Sequence, residues 1–313
     1  MGMIVLRRLA FAVPLLFAVS LVTFTLIAIA PGDAARVLAG PEATPAEYEE
    51  LRRELGLDAP FLVQYWNWLS GALQGDLGTS IVNGQDVALA LNQRLGVTLS
   101  IVIPAVVISS LLGVLIGCIS AHRGGWLGRL VDLAAVVGNA LPTFWIALIL
   151  VTLFAVTIPL FPAIGYVGLT ESPAGWARSL ALPVLSMVIG GVAGTAKQTR
   201  DAMLSGLAAE YTLAHRADGV SELAVVYRHT LRNSAAPILA MVGLHFVGAL
   251  GGTVLVETIF GLPGLGGLAV SAAATHDIPT LQGVVLYFAV LVVLVNLVLD
   301  LTYRRINPKV ALR

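Results

Sequence analysis

The chain has 313 residues, of which 58% are hydrophobic and only 12% charged, with a mean hydropathy of +0.90 and no net charge. Soluble domains carry about 25% charged residues. This chain therefore cannot cover itself with polar surface, which excludes an ordinary soluble enzyme, a nucleic-acid binder and a disordered tail.

Windows of 18 or more residues without Asp, Glu, Lys or Arg run over 9–32, 95–122, 133–170, 179–196, 233–256, 258–276 and 278–299. A helix crosses the ~30 Å hydrocarbon core with about 20 residues at ~1.5 Å each. In the first window, Arg7 and Arg8 precede the apolar run, and Ala28-Ile29-Ala30 resembles a signal-peptidase site. The run of 22 residues from Leu9 to Ala30 exceeds the roughly 7–15 of a signal sequence, and Pro31 follows the would-be cut. It reads as an uncleaved first span.

The polar segment 31–95 follows. Thr44-Pro45-Ala46-Glu47 is a capping box with proline at the first helical position, predicting a charged helix over 45–55 that ends at Gly56. A second helix is predicted over 60–73, with Phe61, Tyr65, Trp66, Trp68 and Leu69 available for an apolar side. Window 95–122 is the second span and contains Cys118. Window 133–170 gives one span near 133–157, ended by Pro159 and Pro162. Window 179–196 is the fourth span.

The next polar segment, 197–232, reads as a helix over 210–217, a stop at Gly219, and a helix over about 222–231 capped by Ser221. Pro237 lies just inside the fifth span, 233–256. Window 258–276 differs from the rest. Gly261, Pro263, Gly264, Gly266 and Gly267 crowd its first ten residues, and glycine and proline disfavour helix interiors. It reads as a loop or re-entrant stretch, which leaves 278–299 as the sixth span. The expected fold class is all-α, a polytopic membrane protein with six spans.

Thirteen of the eighteen Lys and Arg residues fall on one side of this six-span arrangement, which carries both termini and the segment 197–232. The positive-inside rule therefore puts both termini in the cytoplasm and 31–95 outside. A seventh span over 258–276 would move Arg304, Arg305, Lys309 and Arg313 outside, against the rule.

No G-x-x-x-x-G-K-[ST] loop is present, so the chain is not expected to hydrolyse ATP. Gly264-x-Gly266-x-x-Ala269 mimics a dinucleotide fingerprint without the strand that must precede it. The five histidines show no H-x-x-x-H spacing, and there is no G-x-S-x-G elbow. No catalytic residue, metal ligand or cofactor site is expected. Asn139, His245 and Asn296 lie in apolar runs, where a polar group must find a partner or line water. They read as packing residues or as lining of a translocation path. Gly113-x-x-x-Gly117, Gly190-x-x-x-Gly194 and Gly248-x-x-x-Gly252 offer close helix contacts.

Glu210-Tyr211-Thr212-Leu213-Ala214-His215-Arg216-Ala217-Asp218-Gly219, continuing to His229-Thr230-Leu231-Arg232-Asn233-Ser234-Ala235-Ala236-Pro237, resembles the EAA loop of ABC-importer permeases. The closest version is that of the dipeptide, oligopeptide and nickel class. Pro31-Gly32-Asp33, Leu55-Gly56-Leu57-Asp58-Ala59-Pro60, Gly75-Asp76-Leu77-Gly78, Leu141-Pro142-Thr143-Phe144-Trp145, Glu257-Thr258-Ile259-Phe260, Pro263-Gly264-Leu265-Gly266 and Asn307-Pro308 match in the same order. The first polar segment resembles that of the B-type subunit. Leu213, His215 and Asp218 stand where the class usually has Arg, Ala and Lys.

The resemblance implies a type I importer permease, a subunit forming half of a translocation pore for peptides or a similar small solute in the bacterial cytoplasmic membrane. It implies a first span with an extracytoplasmic helical segment over 1–95, a permease core over 96–303 with its coupling loop at 205–237, and a cytoplasmic tail over 304–313. The implied partners are a second, homologous permease, two ATP-binding subunits or domains and an extracytoplasmic substrate-binding protein, with lipid around them and no nucleic acid. It assigns ATPase coupling to Glu210, Ala214, Arg216, Ala217, Asp218, Gly219, Arg232, Asn233 and Pro237. A secondary transporter or channel is the alternative, and a membrane enzyme a third. A secondary transporter is expected to carry inverted repeats and ionisable residues in mid-span, and neither is evident.

Overall fold

A computed structural model describes residues 2–306. Asn307-Pro308, Lys309 and Arg313 lie outside the described residues, as do the side chains of Arg7 and Asn139. Among the described residues there is no strand, only an isolated bridge between Thr79 and Asp86. The helices are α1 (Gly2–Ile29), α2 (Ala34–Ala39), α3 (Pro45–Glu54), α4 (Phe61–Leu73), α5 (Val87–Arg123), α6 (Gly125–Ala140) and α7 (Thr143–Val151). After these come α8 (Pro173–Leu207), α9 (Glu210–Ala217), α10 (Leu231–Asn233), α11 (Ala235–Phe260), α12 (Leu265–Ala274) and α13 (Ile278–Ile306). Turns of π-helix cover Thr152–Thr157 and Ala224–Thr230.

Five helices are long and apolar enough to cross a membrane: Ala10–Ile29 within α1, then α5, α8, α11 and α13. The third expected span is not one straight helix but a bent pair that passes the same test only together. Gly125–Gly138 and Thr143–Thr157 meet at 92°, where a single span near 133–157 was expected. Pro142 is the cause, because a proline disfavours helical backbone in the residue before it. Leu141 accordingly sits at φ −86°, ψ 118°, and Pro142 itself is extended. Hydropathy registers the apolar length of this window but not the turn inside it.

The 258–276 window also differs from a plain loop. Helix α11 runs on to Phe260 and closes on Gly261 at φ +59°. After Pro263-Gly264, α12 forms over ten residues, about 15 Å of rise and too short to cross. Gly266 and Gly267 fall in its first turn, where the N–H groups have no intrahelical partner in any case.

The contacts divide the chain into two compact units. The first comprises Met1–Thr98 and Pro263–Val293. Its capping box forms as predicted, with Glu47 N–H donating to Thr44 Oγ1 at 3.3 Å and Thr44 N–H to Glu47 Oε2 at 2.8 Å. Helix α4 packs Phe61 and Tyr65 edge-on against Phe24 of α1, with centroids 5.2 and 5.4 Å apart. Leu77, Val87, Leu91, Leu265 and Val284 form its core. Asp277 accepts from Ser80 Oγ, the Ile81 N–H and Thr280 Oγ1, tying the start of α13 to the turn before α5.

The second unit comprises Leu99–Leu262 and Leu294–Arg313. Helix α8 is its centre, buried over two thirds of its most apolar stretch. Gly113 and Gly117 of α5 meet it without a side chain between them. A Cβ at Gly113 would lie 2.5 Å from Thr195 Cβ, and one at Gly117 would lie 2.6 Å from both the Ala196 carbonyl and Thr199 Cβ. This small-residue pair is an internal contact, and Gly194 is another, its would-be Cβ 3.0 Å from Met241 Cε. Gly248, by contrast, has nothing within 4 Å of a would-be Cβ.

Candidate functional site

Helix α9 follows α8 after a two-residue break. Thr212 anchors it, fully buried, with Oγ1 donating to the Gly206 carbonyl at 2.8 Å. Gly206 has to be glycine, since a Cβ there would lie 2.7 Å from Thr230 Cγ2 and 3.0 Å from Tyr211 Oη. Glu210 in the first turn and Arg216 in the last both suit the helix dipole.

The helix ends in a Schellman motif. The Gly219 N–H donates to the Arg216 carbonyl at 3.1 Å and the Val220 N–H to the His215 carbonyl at 3.0 Å. Gly219 takes φ +75° with nothing within 4 Å of a would-be Cβ, so backbone conformation alone requires glycine here. The chain then returns through the π-helical turn Ala224–Thr230, where a plain helix over 222–231 was expected. The residue pattern carries no marker for π spacing. Val225 and Val226 of this turn are fully buried, the latter against Cys118, Ala121 and Met203.

This anchoring sorts the sequence-predicted residues into groups. Glu210, Ala214 and Ala217 share one face of α9 at helical spacing and are exposed, together with Leu213; Asp218 and Gly219 are exposed at the helix end. Arg216 turns away to a bidentate pair with Glu222, Nη2 to Oε1 at 2.7 Å and Nε to Oε2 at 3.0 Å. The pair raises the Arg216 pKa and holds the Glu222 carboxyl below its ordinary value. Arg232, Asn233 and Pro237 stand apart from the exposed face. Arg232 Nε donates to the Ile306 carbonyl at 2.6 Å. Asn233 and Pro237 line a cavity of about 510 Å³ with Gln198, Asp201, Ser205 and Tyr211.

Sequence reasoning missed the pair formed by His215 of α9 and His229 of the π-helical turn, whose rings lie 4.2 Å apart between centroids at 35°. Partial burial lowers the His229 pKa, and the charges of His215 and Arg228 lower it further. Nothing in the spacing of 14 residues marks this contact, because the π turn creates it.

A second cavity, of about 410 Å³, is lined by six glycines, including Gly191, Gly194 and Gly248, and by Met187, Met241 and His245. His245 lies against Gly191, where any Cβ would collide with its ring. Ser109 Oγ lies 3.1 Å from both His245 Nδ1 and the Val106 carbonyl, so a hydroxyl bridges the ring and the α5 backbone. Asn296 sits elsewhere, its Oδ1 3.3 Å from where a Gly243 Cβ would be.

Comparison with known proteins matches the sequence of this chain to a family. Residues 113–312 fit the model described as binding-protein-dependent transport system inner membrane component, and residues 1–102 fit the N-terminal model of the same systems. A putative peptide transport system permease protein of Brucella abortus is 38% identical over 311 residues, 99% of each chain. A probable peptide ABC transporter permease protein of Sinorhizobium fredii is 37% identical over the same share of both chains. The glutathione transport system permease protein GsiC of Escherichia coli K12 is 37% identical over 98% of each. Chains of this family work in the inner membrane with ATP-binding and substrate-binding partners. This chain belongs to the binding-protein-dependent transport system inner membrane components and is a multi-pass permease subunit of an ABC importer.

Proposed function

We propose that the chain is one half of a heterodimeric peptide importer, paired with a second, homologous permease and driven by two ATP-binding subunits. The peptide-transport names of its relatives support the substrate class. In this reading the chain supplies a path and a lever and performs no reaction of its own. Residues 1–95 form the first span and an extracytoplasmic helical segment, 96–303 the permease core and 304–313 a cytoplasmic tail. The distribution of Lys and Arg supports cytoplasmic termini.

The observation that carries the proposal is the geometry of α9. It is an eight-residue helix anchored on its inner face by Thr212, ended by a Schellman turn, and presenting Glu210, Ala214 and Ala217 outward. Small side chains on an exposed face let another protein approach closely. Glu210, Ala214, Ala217, Asp218 and Gly219 then form the contact with the ATP-binding subunit. Arg216, Arg232, Asn233 and Pro237 hold the seat behind it. His245 lines the translocation path, with Asn139 and Asn296 assigned to the same path. A cysteine placed at position 217 should crosslink to the ATP-binding subunit and resist an impermeant thiol reagent added outside, while one at position 50 should label from outside. External labelling at 217 would overturn the arrangement.

A further inference from the structure

The outer face of α9 carries chemistry as well as shape. Leu213 is 59% exposed and is the largest apolar side chain on a face otherwise made of Ala214 and Ala217. Leu223, across the glycine turn, is 63% exposed. Neither lies in a window long enough to enter lipid, so water meets both until a partner covers them. The charges on α9 are sorted as well. Glu222 takes up Arg216 through two hydrogen bonds. Arg228 lies on the π-helical turn beside His229 rather than on α9. Glu210 and Asp218 are exposed, and neither side chain engages a partner among the described residues. The charge that α9 leaves uncompensated is negative at both ends, with an aliphatic knob between.

Resting on the coupling reading above, we propose that this face selects an ATP-binding subunit whose docking groove holds an apolar pocket for Leu213 and a lysine or arginine opposite Asp218. A buried apolar anchor supplies most of the affinity of such a contact. The carboxylates mainly set partner choice and encounter rate, since a groove with acidic residues at these points would be repelled. An ATP-binding subunit built to receive basic residues at 213 and 218 is thereby rejected.

The test is titration of the permease pair, held in lipid nanodiscs, with its own purified ATP-binding subunits. Leu213→Ala, an exposed truncation that leaves the fold intact, should weaken binding about tenfold. Asp218→Lys should weaken it about tenfold or more at ~50 mM salt, with the difference shrinking toward ~500 mM as screening rises. Ala217→Trp, a steric block on the same face, is the comparator. If Ala217→Trp abolishes binding while Leu213→Ala and Asp218→Lys bind like the unaltered chain, α9 docks but does not select in this way, and the inference falls alone. Tighter binding by Asp218→Lys would mark an acidic groove and also overturn it. If all three variants bind normally, the coupling reading falls as well.

Discussion

Gly219 and Gly117 are both glycine, for different physical reasons. Gly219 has open space around it and a left-handed backbone; Gly117 has helical backbone and no space. The first requirement was legible, because a glycine after a short amphipathic run marks a helix stop. The second was legible only as a G-x-x-x-G pattern, which the pair at Gly248 and Gly252 shares without the crowding at Gly248. His215 and His229 were not legible as a pair at all, and their stacking carries a pH prediction. His229 titrates below the ordinary histidine value of about 6.5. The folded loop therefore binds protons less readily than the released one. Packing of α9 on the π-helical turn is at full strength above about pH 6.5. It weakens as the pH falls below that value, until the native ring itself takes the proton. Amide exchange over 210–219 should accelerate as the pH falls below about 6.5, and His215→Ala should reduce that acceleration by removing one of the charges facing His229. Exchange independent of pH beyond its intrinsic chemistry would contradict this account.

Among the elements, the contact of α5 on α8 is the most demanding. Adding a methyl at Gly117 drives it into the Ala196 carbonyl and Thr199 Cβ, so the helices must separate. Overpacking of this kind costs about 1–3 kcal/mol, and Gly117→Ala should lower the thermal midpoint of the detergent-solubilised permease. Gly248→Ala, with nothing within 4 Å, should leave it unchanged or raise it slightly, since alanine is the better helix former by up to ~1 kcal/mol. Equal midpoints for the two variants would show that α5 and α8 do not approach as described. The same elements show where the sequence is readable. Caps and stops are local, and Thr44, Gly56 and Gly219 mark α3 and α9 to within a residue. Direction is not local in the same way. The apolar window 133–170 conceals a 92° break because hydropathy averages across Pro142. The ten-residue α12 lay hidden behind the glycines that precede and open it.

At the scale of the whole molecule, composition already excluded soluble chemistry, and the charge-free windows placed the five membrane-length helices and the bent pair. The glycine-lined cavity holding His245, proposed above to lie on the translocation path, was less legible, because it gathers residues from α6, α8 and α11 spread over more than 100 positions. The proposed coupling element was readable because it is one continuous segment with its own start and stop. The central claim is that this segment transmits ATP hydrolysis to the permease. It is tested most directly by the ATPase activity of the reconstituted importer with and without loaded substrate-binding protein, comparing the unaltered chain with Gly219→Val and Ala217→Trp. Valine is strained at φ +75°, and tryptophan blocks the exposed face of α9. Both substitutions leave the spans untouched, so the complex should be present at normal level while the stimulation disappears. Full stimulation and transport in both variants would contradict the account and leave the segment 197–232 an ordinary basic loop.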